Sequence, residues 1–160
     1  MPEHPTPPVF EASERFDPAR IHAAAIYCSD GRYGEQFDDF LHTALQLPRY
    51  DRVAVPGGPG CLAGHFVAYR DEDGLVAQLE FLIRAHDLGR VVLIAHEGCV
   101  FYLDRLSVPP AELAARQRAD LGKAAERLWR IKPSLAVEAY TAWKRSDLVQ
   151  FEPVPIEAGF

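Results

Sequence analysis

Two short, unbroken apolar runs constrain this chain more than any other feature. Val91–Ala95 is apolar at every position, and Ile21–Cys28 is nearly so. A strand with one face in water alternates, whereas a strand covered on both faces does not. Both runs are too short for buried helices, so they predict inner strands of a parallel sheet with helices on each side. The segments between them fit. Gly34–Leu47 carries Phe37, Phe40, Leu41, Ala44 and Leu45 at helical spacing and is stopped by Pro48. Arg52–Val55 reads as a short strand running into Pro56-Gly57-Gly58-Pro59-Gly60, and Leu75, Leu79, Leu82, Ile83 and His86 mark a helix closed near Gly89. A helix is expected to start near Gly98. Ser107, Pro109 and Pro110 open a longer one to about Arg130, with Leu113, Leu121, Ala125 and Leu128 inward. Leu135–Trp143 and Leu148–Val154, joined through Arg145-Ser146-Asp147, read as an antiparallel hairpin. The expected fold is three-layer α/β, with a mostly parallel central sheet of about five strands, the last antiparallel, and right-handed crossovers.

At 160 residues the chain suits one domain, expected over residues 21–160. Residues 1–20 read as an arm, because Pro2, Pro5, Pro7, Pro8 and Pro18 remove backbone donors. Its Val9, Phe10 and Phe16 suit packing on another surface. The net charge of -6, from 17 basic and 23 acidic residues, argues against a nucleic-acid partner. The longest apolar runs fall far short of a bilayer, so no membrane partner is expected. No early cationic segment leads into an apolar core, so the expected compartment is the cytoplasm. Three cysteines are too few for a disulfide scaffold and point to thiol or metal chemistry.

Ligands of such sheets bind beyond the carboxyl ends of the strands. One strand ends as Cys28-Ser29-Asp30-Gly31-Arg32 and another as His96-Glu97-Gly98-Cys99. Cys28, His96 and Cys99 make a two-thiolate, one-imidazole set of the kind tetrahedral Zn²⁺ prefers, with a fourth position left for water or substrate. Asp30 has two possible partners, the metal or Arg32, whose guanidinium can hold a carboxylate by paired hydrogen bonds. The plainer alternatives are core cysteines acting as small hydrophobes and an exposed turn with a weak ion pair.

Gly58-Pro59-Gly60-Cys61-Leu62-Ala63 matches the dinucleotide fingerprint in form, but it lacks the acidic residue about 20 positions on that contacts a ribose. A tight glycine turn fits it better. Cys61 reads as a core thiol near the ligand edge, His65 as a structural residue or a proton relay, and His86 as a partly buried packing residue. Arg116, Arg118, Lys123, Arg127 and Arg130 read as a solvated helix face, and Trp129 and Trp143 as core or interface.

Together, Cys28-x-Asp30-x-Arg32 after the first strand and His96-x-x-Cys99 after a later one resemble the signature of the β-class carbonic anhydrases. The glycine turn at Val55–Gly60, the helix before the His-bearing strand and the closing strand pair extend the resemblance over about residues 20–155. It implies a zinc lyase in which Cys28, His96 and Cys99 bind the metal. Zinc hydroxide then attacks carbon dioxide to give bicarbonate. It implies that Asp30 and Arg32 form a dyad. In the open form Asp30 pairs with Arg32 and orients the nucleophile; in the closed form Asp30 is itself the fourth zinc ligand. It also implies a homodimer, or a tetramer of dimers, with the arm crossing to the partner. Departures from the family pattern fall at Gly31, Glu97 and Val100 and in the Val55-Pro56-Gly57-Gly58 turn. The family's members adapted to carbon disulfide and carbonyl sulfide leave a related hydrolase as one alternative. A zinc-binding homologue without turnover is the other.

Overall fold

The computed structural model describes residues 6–157. Residues 1–5 of the expected arm, with Pro2 and Pro5, and residues 158–160 of the expected domain lie outside the described residues. Five strands form one sheet in the order β2-β1-β3-β4-β5. They are β1 (Ala23–Cys28), β2 (Asp51–Val55), β3 (Arg90–His96), β4 (Ala136–Arg145) and β5 (Leu148–Pro153). The first four run parallel, and β5 returns antiparallel on β4 through a turn at Ser146 and Asp147. In register, Ile26 of β1 lies between Val53 of β2 and Leu93 of β3.

The unbroken apolar runs sit in the middle of this sheet because both of its faces are covered. Ala24, Ile26, Val91 and Leu93 point to one face, where they meet Leu75, Leu79 and Ile83 of α2 (Tyr69–Ala85) and Leu121, Ala125 and Leu128 of α3 (Leu113–Ile131). Ala23, Ala25, Tyr27, Val92 and Ile94 point to the other face, against Phe37 of α1 (Gly34–Asp39) and Leu41 just beyond it. That alternation along the strands makes three layers, as the sequence predicts.

Several boundaries differ from the sequence reading. The first helix ends at Ala44, not Leu47. Beyond α1 it widens into a single π-turn over Phe40–Ala44, with the Leu45 N–H bonded to the Phe40 carbonyl at 3.1 Å. Gln46 then turns left-handed at φ 55°. Gly98 does not open a helix. Its φ of +65° puts it in a tight turn, and the next helical turn starts at Val100 and is again π-type over Phe101–Arg105. The helix marked by Leu75 begins earlier, at Tyr69, behind a 3₁₀ turn over Phe66–Ala68, with Asp71 and Glu72 favouring its N-terminus.

Residues 6–20 carry no helix or strand, and Val9, Phe10 and Phe16 are exposed. The end of this segment is tied down by Arg49, which donates to the Asp17 and Ala19 carbonyls, and by Arg20, which donates to the His86 carbonyl. No helix of the described residues is long and apolar enough to cross a membrane.

Candidate metal centre

Parallel pairing brings the last residues of β1 and β3 to one edge of the sheet. Cys28 ends β1 and His96 ends β3. The chain leaves β3 through Glu97, whose N–H is held by the Ala142 carbonyl, and the left-handed Gly98 turns it back so that Cys99 faces the same point. One donor atom from each of Cys28, His96 and Cys99 lies within 4.8 Å of the other two. The two sulfurs are 4.0 Å apart. Cys99 and His96 are buried, while Cys28 is partly exposed and faces an open groove.

The imidazole is prepared for a ligand role. His96 Nδ1 donates to the Glu97 carbonyl at 2.8 Å, which leaves Nε2 as the bare nitrogen. That Nε2 is buried and has no hydrogen-bond partner among the described residues. The ring is fixed by Tyr33, with centroids 4.5 Å apart, and by Phe37 at 6.4 Å. A buried, unpartnered imidazole nitrogen beside two sulfurs is a costly arrangement unless a cation meets it. The residues therefore fit a soft tetrahedral metal. The Cys99 thiol donates toward Cys28, which holds the Cys28 thiol well below its usual range and pushes Cys99 above it.

Asp30 stands outside this three-donor group. Of its two possible partners, it has Arg32. The Arg32 Nη2 meets Oδ2 at 2.7 Å, Nε meets Oδ1 at 3.0 Å, and the Arg32 backbone N–H meets Oδ1 at 3.1 Å. Those bonds from Arg32 hold the Asp30 carboxyl well below the ordinary carboxylate range, at about 2. Both residues line the groove of about 480 Å³ onto which Cys28 opens. Pro56, Val100 and Phe101 form its apolar wall, and Asp104 and Arg105 stand at its side.

The remaining sequence candidates separate clearly. Glu97 turns away from the donors. Its carboxylate accepts from the Lys144 backbone N–H and pairs with Arg145 at 3.8 Å, which pins the turn to the end of β4. Cys61 is a core thiol that donates to the Pro56 carbonyl at 2.9 Å, and burial pushes its pKa up to about 11. The glycine segment is a buried 3₁₀ turn over Gly58–Leu62, not a phosphate cradle. A Cβ on Gly58 would lie 2.7 Å from the backbone of both Tyr27 and Cys28, so glycine lets this turn press against the end of β1. His86 pairs with Asp51 at 2.6 Å. In the basic run, Arg127 reaches Glu72 at 3.4 Å and Lys123 reaches Asp120 at 3.9 Å, while Arg116, Arg118 and Arg130 are exposed. Trp129 donates to the Leu135 carbonyl, and Arg145 lies over the Trp143 ring.

His65 is structural. Its Nε2 lies 2.6 Å from Oδ2 of Asp120, a fully buried carboxylate that also accepts from the Tyr102 hydroxyl at 2.8 Å. Burial, then the Asp120 charge, pushes the Tyr102 phenol upward, so it remains a donor. One turn before Asp120, Gln117 donates to the His96 carbonyl at 2.8 Å. The sequence reading missed Gln117, Asp120 and Tyr102. The signal was present, since Gln117 and Asp120 fall on the inward face of α3 between Leu113 and Leu121.

No family model matches the sequence, and no curated protein matches it either. Solved structures do. The β-carbonic anhydrase isoform I of the protozoan Trichomonas vaginalis is 11% identical, with a TM-score of 0.54 over 88% of this chain and 87% of that one. The β-carbonic anhydrase CafA of Aspergillus fumigatus is 19% identical, with a TM-score of 0.44 over 83% and 76% of the two chains. CafD of the same fungus is 14% identical, with a TM-score of 0.41 over 84% and 90%. The first of these shows that the chain has a β-carbonic-anhydrase-like fold; the lower scores of the other two add nothing to that.

Proposed function

We propose that this chain is a zinc-dependent lyase that hydrates carbon dioxide to bicarbonate, and that it works as a homodimer. One observation carries the catalytic reading. Three soft donors converge at the carboxyl edge of the sheet, with His96 Nε2 buried and unpartnered among them, beside an Asp30 that Arg32 holds in place.

Cys28, His96 and Cys99 would hold the metal. A zinc ion there supplies Lewis acidity that brings the pKa of a water to about 7, so a nucleophile exists at neutral pH. The rest falls to the chain. Arg32 occupies both Asp30 oxygens and so would keep the carboxylate from a metal held by Cys28, His96 and Cys99. Asp30, which as a carboxylate only accepts, takes a hydrogen bond from the attacking water and turns a lone pair toward the carbon. Pro56, Val100 and Phe101 give a small linear apolar substrate a wall to lie against. A new C–O bond forms, the water's proton passes to solvent along the open groove, and bicarbonate leaves through the same opening. The outward Glu97 removes a negative charge from the path of that anion.

The test joins metal analysis to stopped-flow hydration. Purified protein should hold one zinc per chain and accelerate carbon dioxide hydration, with activity lost on chelation and in Cys28→Ser. Protein without stoichiometric zinc, unaffected by Cys28→Ser, would falsify the proposal. Zinc-loaded protein that leaves carbon dioxide untouched but hydrolyses carbon disulfide or carbonyl sulfide would move the reading to the related hydrolase. Loaded protein inert to all three would be the non-catalytic homologue.

A further inference from the structure

We infer that Gln117 and Asp120, one turn apart on α3, are positioning residues that set the spacing of His96 and Cys99. The inference rests on the metal reading above. The inward face of α3 is otherwise apolar, built from Leu113, Leu121, Ala124, Ala125 and Leu128. Gln117 is 2% exposed and Asp120 0%. Burying a carboxylate in such a face is expensive unless its bonds return the cost.

Those bonds go to the segment that carries two of the three donors. Gln117 Nε2 grips residue 96 through its backbone carbonyl at 2.8 Å. Asp120 Oδ2 grips the Tyr102 hydroxyl at 2.8 Å. The Tyr102 backbone N–H is in turn bonded to the Cys99 carbonyl at 3.1 Å. The first and last residues of the His-x-x-Cys segment are thus held from a single helix, by side chains three residues apart. The same Asp120 oxygen holds His65 at 2.6 Å, at the end of the loop whose Gly58 presses on the backbone of Cys28. All three donors therefore have a fixed backing. The Gln117 side chain reaches the His96 carbonyl, and that of Asp120 reaches the Tyr102 hydroxyl and His65; neither touches a donor atom, so both act through geometry. Ligation needs that geometry to within about half an ångström.

The test uses the full chain with its metal replaced by cobalt(II), whose visible bands report coordination geometry and thiolate ligation. Gln117→Met removes the donor at constant length, and Tyr102→Phe removes only the hydroxyl. Each should weaken cobalt binding by about 10- to 100-fold, measured by chelator competition, and should shift the ligand-field bands. Asp120→Asn, whose side-chain oxygen can still accept from Tyr102, should keep wild-type bands. Ile83→Val, which loosens the core on α2 away from this network, should lower the urea midpoint and leave the spectrum unchanged. Wild-type bands and affinity in Gln117→Met and Tyr102→Phe overturn the inference, as does an equal spectral shift in Ile83→Val. A wild-type protein that shows no cobalt–thiolate band at all overturns the metal reading itself, a failure the variants cannot produce.

Discussion

Asp30 stands between two attractions, and Arg32 decides which one it follows. With Arg32 in place, both carboxylate oxygens are taken, at 2.7 and 3.0 Å. Arg32→Ala releases them near the ion that Cys28, two positions earlier, would help to hold. The expected result is a metal-loaded protein whose hydration rate falls by about 10- to 100-fold, with a carboxylate in place of water as the fourth ligand in a crystal structure. Full activity, or water still in that position, would contradict the role given to Arg32. Cys61 offers a second prediction at this scale. Its folded pKa of about 11 lies above the ordinary 9.0, because burial disfavours the thiolate. The unfolded chain therefore loses this proton first. The contribution is complete below the unfolded pKa and is lost as pH rises through the folded one. Alkaline titration should cost wild type on the order of 2 kcal/mol more stability than Cys61→Ala. Parallel urea midpoints for the two proteins across the same alkaline range would count against it.

At the scale of elements, the turn after β2 is as much a part of the centre as the strands that end in the candidate donors. Gly58 has φ +51°, and a Cβ there would lie 2.7 Å from backbone atoms of Tyr27 and Cys28. Gly58→Ala must push the turn away from β1, and both strain and lost packing follow. The expected cost is about 2–4 kcal/mol in the urea midpoint, together with a weaker metal site, because the residue displaced is Cys28. Gly31→Ala, which has open space at its Cβ, is the control and should change neither. The contrast also shows what was legible in the sequence. Cys28 and His96 could be placed because a strand covered on both faces is apolar until it ends, so the donor-bearing ends announce themselves. Cys99 followed from its spacing to His96. The route to it did not. Gly98 reads equally well as a helix start or a left-handed turn, and only the folded chain, with φ +65°, chooses. The α1 boundary was misread because Leu45 and Leu47 continue the apolar pattern past the point where Gln46 turns left-handed at φ 55°. Gln117 and Asp120 were visible as polar residues on an apolar stripe. Their partners, His96, Tyr102 and His65, lie 21, 18 and 55 residues away, where spacing rules carry no information.

For the molecule as a whole, the surface next to the groove carries a group of exposed apolar side chains on a chain of net charge -6. Phe66 is 86% exposed, and Val67, Tyr69 and Val100 are at least half exposed. They are not scattered. Phe66 stacks on Tyr69, while Arg105 donates to the Val67 carbonyl and lies over Phe101, the neighbour of Val100 in the groove wall. Apolar side chains grouped in this way, beside a groove that is itself apolar on one side, make a surface that water solvates poorly. A second copy laid across it would bury these side chains and close the groove against bulk water, leaving a path for a small neutral substrate. The exposed Val9, Phe10 and Phe16 of the arm add further apolar area to such an association. A stable interface needs about 1,600 Å² in all, so removing its apolar centre should be decisive. Light scattering on the eluting protein should give twice the chain mass of 17.9 kDa. The double variant Phe66→Ser with Val67→Ser should elute as a monomer with its metal retained and its hydration rate reduced, since neither residue touches a donor. A wild type that runs as a monomer at micromolar concentration with full activity would show that one chain closes the groove by itself.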